Sequence, residues 1–192
     1  AAIQVGLSNL RLDWMDLTDP SGLCGLFDYI LIHGVFSWVD ANVRQNILEI
    51  CSTHLAPQGV VYLSHNVQAG WCVRGLVRDV IKDAVADIPT TKGRIYRARE
   101  VASSLGGIVT ESELPYHQIL AAELQRVRCS SSSYLTHETL SLENVAFRHN
   151  EVVSMMADHG LEYLADALYD RPEGRLPADL GEALDGLGLT AA

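Results

Sequence analysis

The segment that most restricts the fold of this chain is an apolar run that ends in a histidine–glycine pair and a short aromatic stretch. It occupies residues 27–39 and has the sequence FDYILIHGVFSWV. The apolar run at residues 29–32 is typical of a parallel strand that is covered on both faces. Gly34 has no side chain, so a ligand can approach the backbone closely directly after that strand. Ligands of open α/β sheets lie outside the carboxyl ends of the strands, so residues 33–38 are the first place to look for chemistry.

The composition is typical of a globular, soluble protein with an acidic surface. Of 192 residues, 48% are hydrophobic and 20% are charged, and the formal net charge is −10. An acidic surface repels phosphate backbones, which argues against a nucleic-acid partner. No apolar run reaches the roughly 18 residues that a membrane helix needs, and the sequence shows no signal-peptide pattern. We therefore expect a cytoplasmic protein with neither a nucleic-acid nor a membrane partner.

The cysteines and histidines lack the spacing of a metal site. The four cysteines form no C-x-x-C pair, so we expect free thiols in a reducing compartment. His33 and His65 each follow a predicted strand, at ends that could face each other. They are either neutral, hydrogen-bonded side chains or zinc ligands, and the spacing favours the first alternative. We expect no metal.

The first residues are typical of a chain that is cut from a longer fold. Residues 1–7 indicate the end of a helix that stops at Gly6, and residues 9–12 predict a short strand. Proteins seldom begin with a frayed helix end that leads into a strand, and the first residue is not methionine. We therefore expect that the natural sequence continues upstream.

A strand–helix–strand unit begins with the central strand. Asp40 is placed to cap a helix whose apolar residues recur at helical spacing. Residues 56–59 predict a tight turn with Gly59 at positive φ, and residues 60–64 predict the next buried strand. A βαβ unit makes its two strands parallel, so the loop at residues 65–71 should lie beside the loop after the central strand.

The pattern becomes helical from Trp71 onward. We expect a first helix that Pro89 ends, a linker at residues 90–93, a second helix at 96–105 that Gly106 and Gly107 end, and a third at 113–128. Residues 134–142 form either a short helix or an extended segment. A helix at 150–159 with Gly160 at its end and a strand at 161–165 return the chain to the α/β pattern. The predicted units are residues 1–70, a helical insertion at 71–143, a returning helix and strand at 144–169, and a tail at 170–192.

Several segments match one protein family. The more specific ones are HGVFSWV at residues 33–39 and NVQAGW at 66–71; NLRLDWMDL, LAPQG, RGLVRD, SYLTHETL and ADHGLEYLADA add to them. With these segments the sequence resembles class I S-adenosylmethionine-dependent methyltransferases of the group that carries a methyltransferase regulatory domain. The resemblance implies an α/β fold with a partial Rossmann-like sheet, made of strands three to five and a later strand, and an all-helical insertion. It also implies that the first strand and its glycine-rich cofactor loop precede residue 1.

The resemblance implies S-adenosylmethionine as the cofactor and places four residues on its side of the site. Asp16 and Leu17 occupy the position that binds adenine, and His33 and Gly34 lie next to the methyl sulfonium. For Asp16 the alternative is a turn-forming carboxylate on the surface. For His33 and Gly34 the alternative is the plain end of a strand.

The resemblance places a second group of residues on the acceptor side. These residues are Phe36, Trp38, Asn66 and Trp71. Aromatic faces also favour a sulfonium cation, although core packing explains Phe36 and Trp38 as well. Tyr134 and His137 match the regulatory part, and we expect them at an interface. We assign no catalytic residue, because methyl transfer depends on alignment and exclusion of water.

Two functions remain open. The first is an S-adenosylmethionine-dependent methyltransferase that acts on an acceptor such as a protein lysine; without the glycine-rich loop this chain alone would be inactive. The alternative is a non-catalytic regulatory or interaction module that keeps the fold. In either case the strand at residues 29–32 is an apolar edge that invites self-association. The first 20 residues should pack irregularly, or a second copy or the N-terminal segment should cover this edge.

Overall fold

The computed structural model of the chain describes residues 6–167 and has the α/β architecture that the sequence predicts. The strands are β1 (Phe27–Ile32), β2 (Leu55–Leu63), β3 (Asn66–Val67) and β4 (Ala146–Phe147). The α-helices are α1 (Ala41–His54), α2 (Gln68–Ala84), α3 (Thr91–Thr110), α4 (Pro115–Cys129), α5 (Ser132–Tyr134) and α6 (His149–Ala157). Short 3-10 turns lie at Pro20–Gly22 and Phe36–Trp38, and a π-helical turn lies at Leu135–Thr139.

The first unit is the predicted βαβ arrangement. Strands β1 and β2 pair in parallel, with Tyr29 opposite Val60. Helix α1 begins as predicted, because Asp40 Oδ1 accepts a hydrogen bond from the Val43 amide at 3.0 Å. The apolar side of α1 packs on Ile30 and the neighbouring strand residues, so one face of the two-stranded sheet is covered.

The predicted turn around Gly59 is wrong. Strand β2 passes through residues 56–59 without interruption, and the positive φ predicted for Gly59 is absent. The glycine has a different purpose: a Cβ atom at this position would lie 2.9 Å from the Phe27 carbonyl oxygen. Gly59 therefore lets β1 and β2 approach where their register shifts.

The strand predicted at residues 9–12 is wrong, and residues 6–19 are irregular, as the alternative expectation states. Residues 6–26 do not cover β1, since Tyr29 and Leu31 are each 73% exposed. The strand predicted at residues 161–165 is wrong as well. Both segments alternate in polarity, but within the described part of the chain neither has a neighbouring strand to bond to. The predicted helix end before Gly6 and the tail after residue 169 lie outside the described residues.

The middle of the chain is helical, as predicted; α3 is longer than expected, and α2 ends at Ala84, before the predicted stop at Pro89. Thr90, expected in a linker, caps α3 by accepting from the Gly93 amide. Gly106 and Gly107 do not end α3, which continues to Thr110. A Cβ atom on buried Gly106 would lie 3.9 Å from the Leu124 side chain, so packing against α4 overrides the low helix propensity of glycine. Helices α2, α3 and α4 and the π-helical turn share one hydrophobic core, and we call them, together with α5, the helical block.

The chain then returns to the first unit. Strands β3 and β4 pair in parallel, with Asn66 opposite Ala146. Helix α6 ends as predicted at Gly160, which has a φ of +72°. Phe147 and Val152 join the core that α1 forms with the sheet. Among the residues that the structure describes, no helix is long and apolar enough to span a membrane.

The close approach of the two strands at Gly59 predicts that a larger residue at this position destabilises the protein. Gly59→Ala places a methyl group against a backbone carbonyl, and we expect the free energy of unfolding to fall by about 1–3 kcal/mol. Gly107→Ala is the matched control, because it is exposed within α3 with nothing near its Cβ position. The control should raise the free energy of unfolding by about 0.5–1 kcal/mol. Urea unfolding followed by circular dichroism measures both, and a neutral Gly59→Ala would contradict the packing argument.

Candidate functional site

The carboxyl ends of β1 and β2 meet in a small hydrogen-bonded junction. Ser64 Oγ accepts a hydrogen bond from the Gly34 amide at 2.9 Å and lies 3.0 Å from His33 Nδ1. The Ser64 amide donates to the Ile32 carbonyl at 2.9 Å. The Ser64 hydroxyl can donate to His33 Nδ1 or accept from it, so this bond orients the imidazole at the strand end in either tautomer. His33 and Gly34 are exposed, so a ligand above the strand ends can reach both.

Gly34 allows this junction to form. Its φ is +68°, a left-handed conformation that residues with a Cβ rarely adopt. The positive φ turns the chain from β1 into the 3-10 turn at Phe36–Trp38 while its amide still faces Ser64. Sequence reasoning named His33 and Gly34 but missed Ser64. The position of Ser64, one residue past the end of the neighbouring parallel strand, was the feature of the sequence that could have indicated its role.

Asp16 adopts the geometry of a turn-forming carboxylate. Its Oδ1 accepts from the Thr18 amide at 2.9 Å and from the Thr18 hydroxyl at 2.8 Å. These bonds, the amide first, hold the pKa of the Asp16 carboxyl below its usual range, and the side chain is exposed. The Leu17 carbonyl accepts from Asn46 Nδ2 at 2.9 Å, which ties this turn to α1. The structure thus shows the turn, and the adenine-binding role of Asp16 and Leu17 stays a prediction.

Leu17 also lines an open apolar groove beside β1. The groove has a volume of about 290 Å³, and Met15, Tyr29 and Leu31 contribute to its walls. Residues 33 and 34 do not line it. The two predicted halves of the cofactor side are therefore not joined in one cavity by the described residues.

Ser37 connects the first strand end to the acceptor-side residues. It is 1% exposed, its Oγ accepts from the Asn66 amide at 2.8 Å, and its carbonyl accepts from the Val145 amide at 2.8 Å. Asn66 in turn donates from Nδ2 to Asn144 Oδ1 at 3.0 Å. Sequence reasoning missed Ser37 and Asn144. A single polar residue inside the apolar run VFSWV was the signal for Ser37, since a buried hydroxyl needs partners.

Phe36 and Trp38 flank Ser37 but have different surroundings. Phe36 is fully buried, with its ring 5.6 Å from that of Phe147, as the core-packing alternative expects. Trp38 is half-buried, and its ring is 5.8 Å from that of Trp71 in an edge-to-face arrangement of 73°. Three of the four predicted acceptor-side residues, Trp38, Asn66 and Trp71, are therefore gathered around one turn. Their role toward an acceptor stays a prediction.

Trp71 lies in the first turn of α2, although the sequence predicts a loop there. The Arg74 guanidinium lies 4.8 Å over its ring, and Arg74 Nε is 3.8 Å from a Glu123 carboxylate oxygen on α4. This cation–π contact and ion pair fix the Trp71 ring through Arg74 to α4. Arg74 was also missed, although its position three residues after Trp71 on a helix places the two side chains together.

His137 reaches Trp38 from the helical block. The two rings are 4.7 Å apart, with an angle of 34° between their planes. Tyr134 instead stays inside the helical block, where its hydroxyl is 3.5 Å from Arg126 Nη1. Of the two residues that we expect at an interface, His137 therefore contacts the first unit.

The described thiols and histidines form no metal site. Residues 6–167 contain no cluster of three or more histidine, cysteine, aspartate or glutamate side chains that could hold a metal ion. The four cysteines are free, as predicted. Burial raises the pKa of the Cys51 thiol to about 11, so this side chain is a protonated member of the core and not a nucleophile.

The chain matches one family and several proteins. Residues 131–172 match the family described as a predicted methyltransferase regulatory domain. An uncharacterized protein of Rickettsia prowazekii (strain Madrid E) is 32% identical over 162 residues, which are 84% of this chain and 29% of that protein. A second uncharacterized protein of the same organism is 28% identical over 134 residues, which are 70% of this chain and 54% of that protein. The chain thus spans about a third to a half of these relatives.

Two solved structures share the fold. The structure of PKMT2 from Rickettsia typhi has a TM-score of 0.79 and 25% identity, over 96% of this chain and 35% of that protein. PKMT2 in complex with AdoHcy has a TM-score of 0.80 and 26% identity, over 97% of this chain and 36% of that protein. Together with the family match, they confirm the resemblance seen in the sequence: the chain is similar to PKMT2, and its residues 131–172 match a methyltransferase regulatory domain.

Proposed function

We propose that this chain contributes to an S-adenosylmethionine-dependent methyltransferase. The observation that carries the proposal is the similarity over 97% of the chain to PKMT2, which was solved in complex with AdoHcy, the product that the methyl donor leaves behind. The strand-end junction of His33, Gly34 and Ser64 supports it. The junction presents the exposed backbone turn at Gly34 and the oriented imidazole of His33. Both lie at the carboxyl ends of the strands, where open α/β sheets bind their ligands.

The residues of the acceptor side fit methyl transfer to an amine. The cofactor supplies the reactive sulfonium, so the protein has to align the nucleophile and exclude water. Half-buried Trp38, in contact with the buried ring of Trp71, offers an apolar wall after the end of β1. A lysine amine loses its proton more easily against such a wall, because desolvation disfavours the ammonium form. We propose a protein lysine as the acceptor.

The alternative is a regulatory or interaction module without its own chemistry. Two observations favour it: Asp16 Oδ1 already accepts two hydrogen bonds within its own turn, and the groove beside β1 does not join the cofactor-side positions in one cavity. In this case the fold would present surfaces to a partner and would not bind the cofactor.

Calorimetric titration of S-adenosylhomocysteine separates the two functions. We would titrate it into this chain and into the complete product of its gene. Micromolar binding by the complete product is the expected result, with weak or no binding by this chain if a further segment completes the site. Absence of binding by both proteins would overturn the methyltransferase proposal and favour the interaction module.

Asp16 provides a residue-level test in the complete product. Asp16→Ala should weaken S-adenosylhomocysteine binding by about 1–3 kcal/mol, because a hydrogen-bond acceptor for the adenine amine is lost. Asp19→Ala is the matched control, since Asp19 is also exposed and also accepts a turn hydrogen bond, from the Ser21 amide at 3.2 Å. The control should bind like the unaltered protein. Equal losses in both variants would show that Asp16 acts only through the turn.

We also propose that this chain associates with a second copy through β1. The strand has one paired neighbour in the described part of the chain, and its outer face presents Tyr29 and Leu31 to solvent. Sedimentation velocity should show a concentration-dependent dimer that Leu31→Lys abolishes. Leu142→Lys, at a leucine that is 85% exposed elsewhere, should leave the dimer intact. A monomer at every concentration would contradict the proposal.

A further inference from the structure

Trp38 is held between two aromatic side chains that come from two different elements of the helical block. Trp71 contacts it edge-to-face from α2, and His137 stacks on it from the π-helical turn. Both ring separations, 5.8 and 4.7 Å, lie in the range that favours aromatic pairing. The Trp38 indole therefore has a defined orientation, and Trp38 is the half-buried residue of a turn whose other two residues, Phe36 and Ser37, are buried.

The backbone of this turn does not depend on His137. Ser37 fixes it through the Asn66 and Val145 amides, and the Trp38 amide donates to the Val35 carbonyl at 2.8 Å. These hydrogen bonds fix the backbone of the turn but not the side-chain rotamer of Trp38. The contacts with Trp71 and His137 determine that rotamer.

The π-helical turn gives His137 a fixed base. The Leu140 amide donates to the Leu135 carbonyl at 2.9 Å, an i→i+5 bond. Leu135 and Thr139 are buried at the two ends of this turn, and Leu135 belongs to the core of the helical block. His137 is exposed between these anchors, so its position follows the helical block and not the sheet. Single π-helical turns are rare and occur frequently at functional sites.

The cofactor-side junction is separate from this contact. The hydrogen bonds of His33 and Gly34 run to Ser64, and none of them involves Trp38 or His137. A change at His137 can therefore alter the acceptor side while the strand-end junction stays as it is.

We propose that His137 is a positioning residue that sets the orientation of Trp38 and thereby the shape of the acceptor wall. The inference deepens the proposed function and rests on it for the meaning of that wall. It assigns the helical block a specific action: the block acts on acceptor binding through one imidazole and leaves cofactor binding unchanged.

The first test needs no methyl transfer. The chain has three tryptophans, at positions 14, 38 and 71, so 5-fluorotryptophan gives three ¹⁹F resonances, which Trp→Phe variants assign. His137→Ala should shift the Trp38 resonance and leave that of Trp14, which is 91% exposed, unchanged. His137→Phe should keep Trp38 ordered, because a phenyl ring restores the stacking. His149→Ala is the control, as its ring packs 4.9 Å from Tyr163 and away from Trp38.

The outcome of this test decides the positioning role by itself. A Trp38 resonance that does not move in folded His137→Ala, or that moves equally in His149→Ala, would overturn it. If His137→Ala unfolds, His137→Gln is measured in its place, and circular dichroism reports the folding of each variant.

The second test concerns the acceptor, in the complete gene product with S-adenosylmethionine and poly-L-lysine. His137→Ala should raise KM for poly-L-lysine about 2- to 10-fold, the equivalent of one lost aromatic pair. His137→Phe should restore KM, and the affinity for S-adenosylhomocysteine should stay unchanged in both variants. An unaltered KM despite a shifted Trp38 resonance would overturn the acceptor role. If the unaltered protein binds no S-adenosylhomocysteine, the proposed function fails, and the ¹⁹F result still decides whether His137 positions Trp38.

Discussion

The rest of this structure depends on the hydrogen bonds of Ser37. A hydroxyl and a carbonyl from one buried residue join the turn after β1 to β3 and to the segment that enters β4. An unmade bond to either group would leave a polar atom in the core, which costs more than the bond itself contributes. Parts of the chain that are more than a hundred residues apart are thus forced to meet within one residue of Trp38. The candidate site is therefore held together by hydrogen bonds of buried polar groups as much as by the burial of apolar side chains.

A buried arginine, Arg78, also joins distant parts of the chain by hydrogen bonds, here between α2 and the segment after the π-helical turn. Arg78 on α2 donates to the Ser141 carbonyl at 2.6 Å and to the Leu142 carbonyl at 3.5 Å. Burial lowers the pKa of its guanidinium, while Asp79 and Glu143 oppose this effect, so the side chain remains a charged donor. Ser37 and Arg78 therefore determine where the chain leaves the helical block and where it rejoins the first unit.

The part of the fold that sequence patterns predicted is the part with local causes. Strand β1 is a continuous apolar run, Asp40 caps α1 through a bond three residues away, and Gly160 ends α6 by its own φ. The errors have non-local causes. Gly59 and Gly106 were taken as chain breakers, whereas Gly59 permits the approach of a strand that is distant in the sequence, and Gly106 lies within α3, buried against Leu124 of α4.

The same distinction applies to the candidate site. His33, Gly34 and Trp38 were found because they directly follow a recognisable strand. Ser64 was missed because its role depends on the strand register, and Ser37 because its partners lie 29 and 108 residues away. A single sequence contains no local sign of such pairings. The alternating segments at residues 9–12 and 161–165 fail for the same reason, since a strand exists only where another strand can accept its bonds.

The hydrophobic residues between positions 6 and 167 form two separate cores, one beneath α1 and one within the helical block. Trp71 and Trp38 belong to the buried set of neither core, and they lie at the boundary between the two. Parts of a protein with separate cores open independently, each with its own free energy. Amide hydrogen exchange would therefore fall into two groups of rates. The contact between Trp38 and Trp71 would form only in the fraction of molecules in which both cores are closed, so local unfolding of the helical block would by itself control the proposed acceptor side.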